Sequence, residues 1–168
     1  MNKIGIFYGS TTGTTETIAG MIGSKLDVAS ADRHNVASSD PSLAGTYDCL
    51  LLGSSTWGDG ELQDDWYDFL DKLKAMDLSG KKVAIFGCGD AYGYSDTFCE
   101  AMVIIHKALE GTGCEFIGLY PSVGYARKDD VIYRDGKYIG LPIDNDNESG
   151  WTEKRVNEWA EIVKGEIS

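Results

Sequence analysis

Positive charge is scarce in this chain: 15 Lys and Arg face 27 Asp and Glu, for a formal net charge of −12 at pH 7. That balance argues against binding to nucleic acid or an anionic membrane and favours partners with basic docking faces. The 4 cysteines, Cys49, Cys88, Cys99 and Cys114, form no CxxC pair. Their spacing removes the usual zinc and redox patterns, and three of them sit in apolar runs, so they read as small reduced core residues. His34 and His106 have no partner motif and make no metal-ligand pair. No apolar stretch reaches membrane-spanning length and residues 1–20 lack a signal-peptide pattern, so a cytoplasmic, soluble chain is expected. Internal repeats and a linker are absent too. The 168 residues read as a single domain, 1–168, that buries roughly 70% of its unfolded surface.

What is present is an alternation of strand-like and helical patterns. Lys3 to Tyr8, Asp27 to Ala31, Asp48 to Leu52, Lys82 to Gly87 and Glu115 to Tyr120 read as strands, the last continuing near Tyr138 to Leu141. Between them run apolar stripes at helical spacing: Ile18, Met21, Ile22 and Leu26; Trp66, Phe69, Leu70, Leu73 and Met76; Phe98, Met102, Ile105 and Leu109; Val156, Trp159, Ala160 and Val163. Strands that alternate with helices imply an α/β fold with a parallel sheet covered on both faces. The runs Cys49-Leu50-Leu51-Leu52 and Val83-Ala84-Ile85-Phe86 suit central strands. Pro121 to Gly136 interrupts the last strand, with a small hairpin expected around Arg134-Asp135-Gly136-Lys137.

In an open parallel sheet, ligands bind beyond the carboxyl ends of the strands. Three loops fall there. The first, Ser10-Thr11-Thr12-Gly13-Thr14-Thr15, joins a buried strand to a helix start and carries hydroxyls at five of six positions. A helix N-terminus offers unpaired N–H groups and the positive end of its dipole, so the loop suits a phosphate. No Lys or Arg lies between Lys3 and Lys25, so neutral donors would hold that anion, and the P-loop lysine is absent. An ordinary capped helix would need only one such hydroxyl.

The second loop, Gly53 to Leu62, sets Trp57 among glycines, where it is poorly placed for core packing. The third, Gly87 to Asp96, again offers aromatics among glycines; its Gly87-x-Gly89 and Gly93 depart from the GxGxxG dinucleotide spacing. Two aromatic jaws and a phosphate cradle suit a planar phosphorylated ligand.

These three loops resemble those of flavodoxins, and of their long-chain group, across essentially the whole chain. The matches are Ser10 to Thr15 for the phosphate loop, Thr56-Trp57 for the Thr-Trp loop, Gly89-Asp90 with Gly93-Tyr94 for the third, and Pro121 to Gly136 for the insertion that splits the fifth strand. The resemblance implies a flavodoxin-like three-layer sandwich, with a five-stranded parallel sheet in order 2-1-3-4-5 and helices on both faces. It implies one FMN per chain, bound without a metal by Ser10, Thr11, Thr12, Gly13, Thr14 and Thr15; by Ser55, Thr56, Trp57, Gly58, Asp59 and Gly60; and by Cys88, Gly89, Asp90, Tyr94, Asp96 and Asp146. It assigns the Gly58-Asp59 peptide a rotation on reduction that offers its carbonyl to the flavin N5–H.

The implied activity is electron carriage by a monomer rather than enzymatic turnover. The implied partners are basic-faced redox proteins such as a ferredoxin/flavodoxin-NADP reductase or a pyruvate oxidoreductase. The acidic residues Asp59, Glu61 and Asp90 disfavour added negative charge on the ring. At ~10 Å and an effective dielectric of ~20, one such charge is worth roughly 1.7 kcal/mol, so a low-potential carrier is expected. Two alternatives stand beside it: a flavin-dependent NAD(P)H oxidoreductase of the quinone-reductase kind, and a non-redox module for a phosphorylated ligand.

Overall fold

The computed structural model describes residues 3–57, 60–90, 98–121, 132–134 and 136–167. Six strand segments form its parallel sheet: β1 (Ile4–Gly9), β2 (Arg33–Asn35), β3 (Cys49–Trp57), β5 (Lys82–Cys88), β6 (Glu115–Ile117) and β10 (Leu141–Ile143). The short β4 (Glu61–Leu62) folds back antiparallel on the end of β3. The order β2-β1-β3-β5 continues with β6 beside Lys82–Ala84 and β10 beside Phe86–Cys88. The fifth position is therefore shared by two segments, and the expected order 2-1-3-4-5 stands with that split.

Helices α1 (Thr14–Lys25), α2 (Trp66–Leu73), α3 (Ala101–Leu109) and α4 (Ser149–Ile167) cover the sheet. Each lays its apolar stripe on it: Ile18 and Ile22, Trp66 and Leu73, Met102 and Ile105, Val156 and Trp159 are all buried. Met76 and Phe98, expected in two of these stripes, flank the helices instead. The central runs Leu50 to Leu52 and Val83 to Phe86 are wholly enclosed, as strands sandwiched between helical layers must be.

The structure corrects two strand boundaries. The second strand is Arg33–Asn35, not Asp27 to Ala31; Asp27 takes a φ of 56° as α1 ends, and residues Ser30–Asp32 make a 3-10 turn. Arg33 then fastens this turn, donating from Nε (3.0 Å) and Nη2 (2.8 Å) to the Val28 carbonyl. His34 stacks on Phe7 with ring centroids 4.8 Å apart and hydrogen-bonds the Tyr47 hydroxyl at 2.7 Å, and burial lowers its pKa.

The fifth strand likewise ends at Ile117 rather than Tyr120. Gly118 follows with φ 78°, a conformation that glycine enters without a Cβ penalty, and turns the chain out of the sheet. The continuation is Leu141–Ile143 rather than Tyr138 to Leu141. Residues of β7 (Tyr120–Pro121), β8 (Tyr133–Arg134) and β9 (Lys137–Tyr138) make a separate antiparallel sheet. The expected hairpin corresponds to β8 and β9; most of the insertion, including residues 122–131 and 135, lies outside the described residues.

Candidate functional site

All three loops leave the same edge of the sheet because β1, β3 and β5 run parallel and in register. At that edge the described residues enclose a cavity of about 500 Å³, within the range of small-molecule and cofactor sites.

One end of the cavity is the start of α1. Gly13 stands at its N-cap with φ 93°, which a side chain would strain, and its N–H donates to Ser10 Oγ at 3.1 Å. The Gly13 carbonyl accepts from the Thr17 backbone (3.0 Å) and from Thr17 Oγ1 (3.0 Å), locking the first turn. The N–H groups of that turn have no acceptor within the helix. Thr12 and Thr14 line the cavity, while Thr15, 1% exposed, holds its hydroxyl buried beside the Cys88 thiol.

The far wall is aromatic. Trp57 ends β3 with 42% of its surface exposed, and its indole N–H donates to Ser55 Oγ at 2.8 Å. That bond orients the ring without sinking it into the core. Thr56 Oγ1 accepts the Ala101 N–H at 3.2 Å and so ties the Trp57 strand end to the start of α3.

The floor is the end of β5. Cys88 and Gly89 line it, and burial pushes the Cys88 thiol up to about 12, with Asp146 adding to the rise and the Thr15 hydroxyl opposing it. A thiol so shifted stays protonated and acts as a small apolar surface. Asp90 and Asp146 bring two carboxylates to the cavity. Their positions are fixed by the turn before α4: buried Asp144 accepts the N–H groups of Asp146 (3.1 Å) and Asn147 (2.9 Å), and Asn147 Nδ2 donates to Asp90 Oδ1 at 2.7 Å.

Of the residues expected at the site, Thr12, Thr14, Ser55, Thr56, Trp57, Cys88, Gly89, Asp90 and Asp146 line the cavity together. Ser10, Thr11, Gly13 and Thr15 stand around the start of α1 without lining the cavity, and Gly60 packs toward Glu100. Gly58, Asp59, Tyr94 and Asp96 lie outside the described residues. Asn145 and Phe98, not expected at the site from sequence, also line the cavity. Asn145 sits in the same Asp-Asn-Asp-Asn segment as Asp146 and was findable there; Phe98 was absorbed into a helical stripe.

Among the described residues no group of three His, Cys, Asp or Glu side chains stands ready for a metal, and no helix is long and apolar enough to cross a membrane. A hydroxyl-rich helix start and an aromatic rim at the carboxyl edge of an open parallel sheet define an α/β protein whose cavity suits a phosphorylated planar ligand.

Comparison with known proteins narrows that class. The flavodoxin family model matches residues 6–159. A Synechocystis flavodoxin is 42% identical over 165 residues, covering 98% of this chain and 97% of that protein. Flavodoxin 1 of Escherichia coli K12 is 41% identical over 164 residues, covering 97% and 93%. The crystal structure of Fusobacterium nucleatum flavodoxin bound to flavin mononucleotide is similar at a TM-score of 0.89 and 30% identity, covering 99% of each chain. The chain belongs to the flavodoxin family.

Proposed function

We propose that this chain carries single electrons between redox enzymes through one bound FMN, with the phosphate at Ser10 to Thr15 and the ring beside Trp57. The reading is carried by the hydroxyl-rich start of α1, where Thr12 and Thr14 line a cavity rimmed by the exposed indole of Trp57. Both fit the group: neutral donors at a helix start suit a dianion, and an indole held at its edge suits a flat ring.

Bound FMN supplies a ring that accepts and releases electrons one at a time. The residues of this chain do the rest. Thr12, Thr14 and Thr15 fix the phosphate end, and Trp57 takes the place where a substrate would otherwise stack. The carboxylates of Asp90 and Asp146 raise the electrostatic cost of adding negative charge nearby, which sets a low potential.

Partners are basic-faced proteins such as a ferredoxin/flavodoxin-NADP reductase or a pyruvate oxidoreductase. Their approach is steered by Glu61, Asp64, Asp65 and Asp68, all exposed on β4 and the start of α2. Asp71 on the same helix is partly offset by Lys74, 3.2 Å away. The complexes are expected to be weak and short-lived.

A coupled assay tests this. The FMN-loaded chain mixed with NADPH alone should leave it unoxidised, and addition of a flavodoxin reductase should start electron relay to cytochrome c. The relay rate should fall steeply between low and moderate ionic strength. Rapid NADPH oxidation without the reductase would instead favour the oxidoreductase alternative, and a rate indifferent to salt would remove the acidic steering.

A further inference from the structure

Gln63 is 2% exposed, lies between β4 and α2, and directs none of its atoms at the cavity lining. Yet its hydrogen bonds join the phosphate loop to β3 and to the start of α2. Its N–H donates to Ser54 Oγ (3.1 Å) near the end of β3, and its carbonyl accepts the Trp66 N–H (3.0 Å) at the start of α2. The side-chain Oε1 accepts the Asp65 N–H at 3.0 Å, while Nε2 donates to Asp65 Oδ2 at 2.7 Å and to Thr11 Oγ1 at 3.1 Å.

The orientation of this amide follows from chemistry. The Asp65 backbone N–H can only donate, so the oxygen must face it. The nitrogen then has one proton for the Asp65 carboxylate and one for Thr11. The side chain packs against the residue just before the phosphate loop, because a Cβ on Gly9 would strike Gln63 Oε1 and the Trp66 ring. Thr11 is itself an exposed residue of that loop, so its bond to a buried amide ties a surface turn to the frame carrying Trp57.

We propose that Gln63 is a positioning residue: it holds the phosphate loop in its binding shape before the ligand arrives, and thereby sets the preference for a phosphorylated flavin. The inference rests on FMN being the ligand. Restraining a loop in its bound shape lowers the ordering cost of binding, and a fully satisfied buried amide is a rigid anchor for it. The effect falls on the phosphate alone, since the Trp57 side of the site keeps its own bonds to Ser55 and Ala101.

The test titrates the apoprotein, Gln63→Leu, Thr11→Val and the double variant with FMN and with riboflavin, which lacks the phosphate. Thr11→Val removes the acceptor from an exposed position with little change of shape, so it keeps the test valid even if Gln63→Leu folds poorly. Each single variant should bind FMN roughly tenfold more weakly, the upper end of the scale for one lost neutral hydrogen bond, and riboflavin within twofold of the wild type. The double variant should be no weaker than the worse single, because both remove the same bond. Equal losses for the two flavins, additive losses, or no loss would overturn the positioning role. A wild-type chain that holds FMN no better than riboflavin would overturn the phosphate reading, and this inference with it, before any variant is compared.

Discussion

Thr12→Asp is expected to abolish tight binding of FMN while leaving the folded chain and its affinity for riboflavin nearly unchanged. Thr12 is exposed and lines the cavity at the start of α1, so the substitution needs no repacking. Its carboxylate would face the phosphate, and no Lys or Arg lies between Lys3 and Lys25 to offset the repulsion from within the loop or the first turns of α1. At ~5 Å and an effective dielectric of ~20, a single pair of like charges repels by roughly 3 kcal/mol, and a dianion feels more. That is a loss of about two orders of magnitude in affinity. Quenching of flavin fluorescence by the apoprotein measures both ligands. An unchanged FMN affinity, or an equal loss for riboflavin, would place the phosphate elsewhere.

The second large effect is on stability. Trp159→Ala removes a fully enclosed indole that packs at 6.1 Å between ring centroids against Phe86 of the central sheet. Truncating a buried tryptophan costs about 3 to 5 kcal/mol. Here the indole N–H also donates to the Gly118 carbonyl at 2.7 Å, the point where the chain leaves the sheet. Leaving that carbonyl unpaired adds about 1 to 3 kcal/mol. The sum takes up a large part of a typical domain stability of about 5 to 15 kcal/mol. The urea midpoint of the apoprotein should therefore fall sharply, with α4 detaching early from the sheet. A loss below about 1 kcal/mol would mean that the site relaxes around the vacancy, unlike most buried tryptophan sites.

The parts of this fold legible in sequence are those where one local pattern has one physical solution. Leu50 to Leu52 and Val83 to Phe86 are apolar on both faces, which suits central parallel strands. Ser10 to Thr15 combine a strand end, a helix start and a surplus of hydroxyls, and the structure puts Thr12 and Thr14 in the cavity lining with Thr15 buried beside them. The second strand was misplaced because Val28 is buried by a turn, 5% exposed, rather than by sheet pairing. The re-entry at Leu141 was blurred for a similar reason: Tyr138 is buried in the small antiparallel sheet, so its apolar character says nothing about which sheet it joins. β3 runs on through polar Ser54 to Thr56 because β5 and β4 pair with it, which no local pattern signals. Gln63 was unreadable for the most general reason. Its bond to Thr11 spans 52 positions, and a polar residue between a strand and a helix looks like any loop residue until the chain closes over it.

A reductive titration of the purified chain, followed in the visible and at controlled potential, tests the central claim most directly. One FMN per chain is expected, taken up in preference to riboflavin, with two well-separated one-electron steps. A chain that stays colourless after incubation with FMN, or takes both electrons in one step, would contradict it.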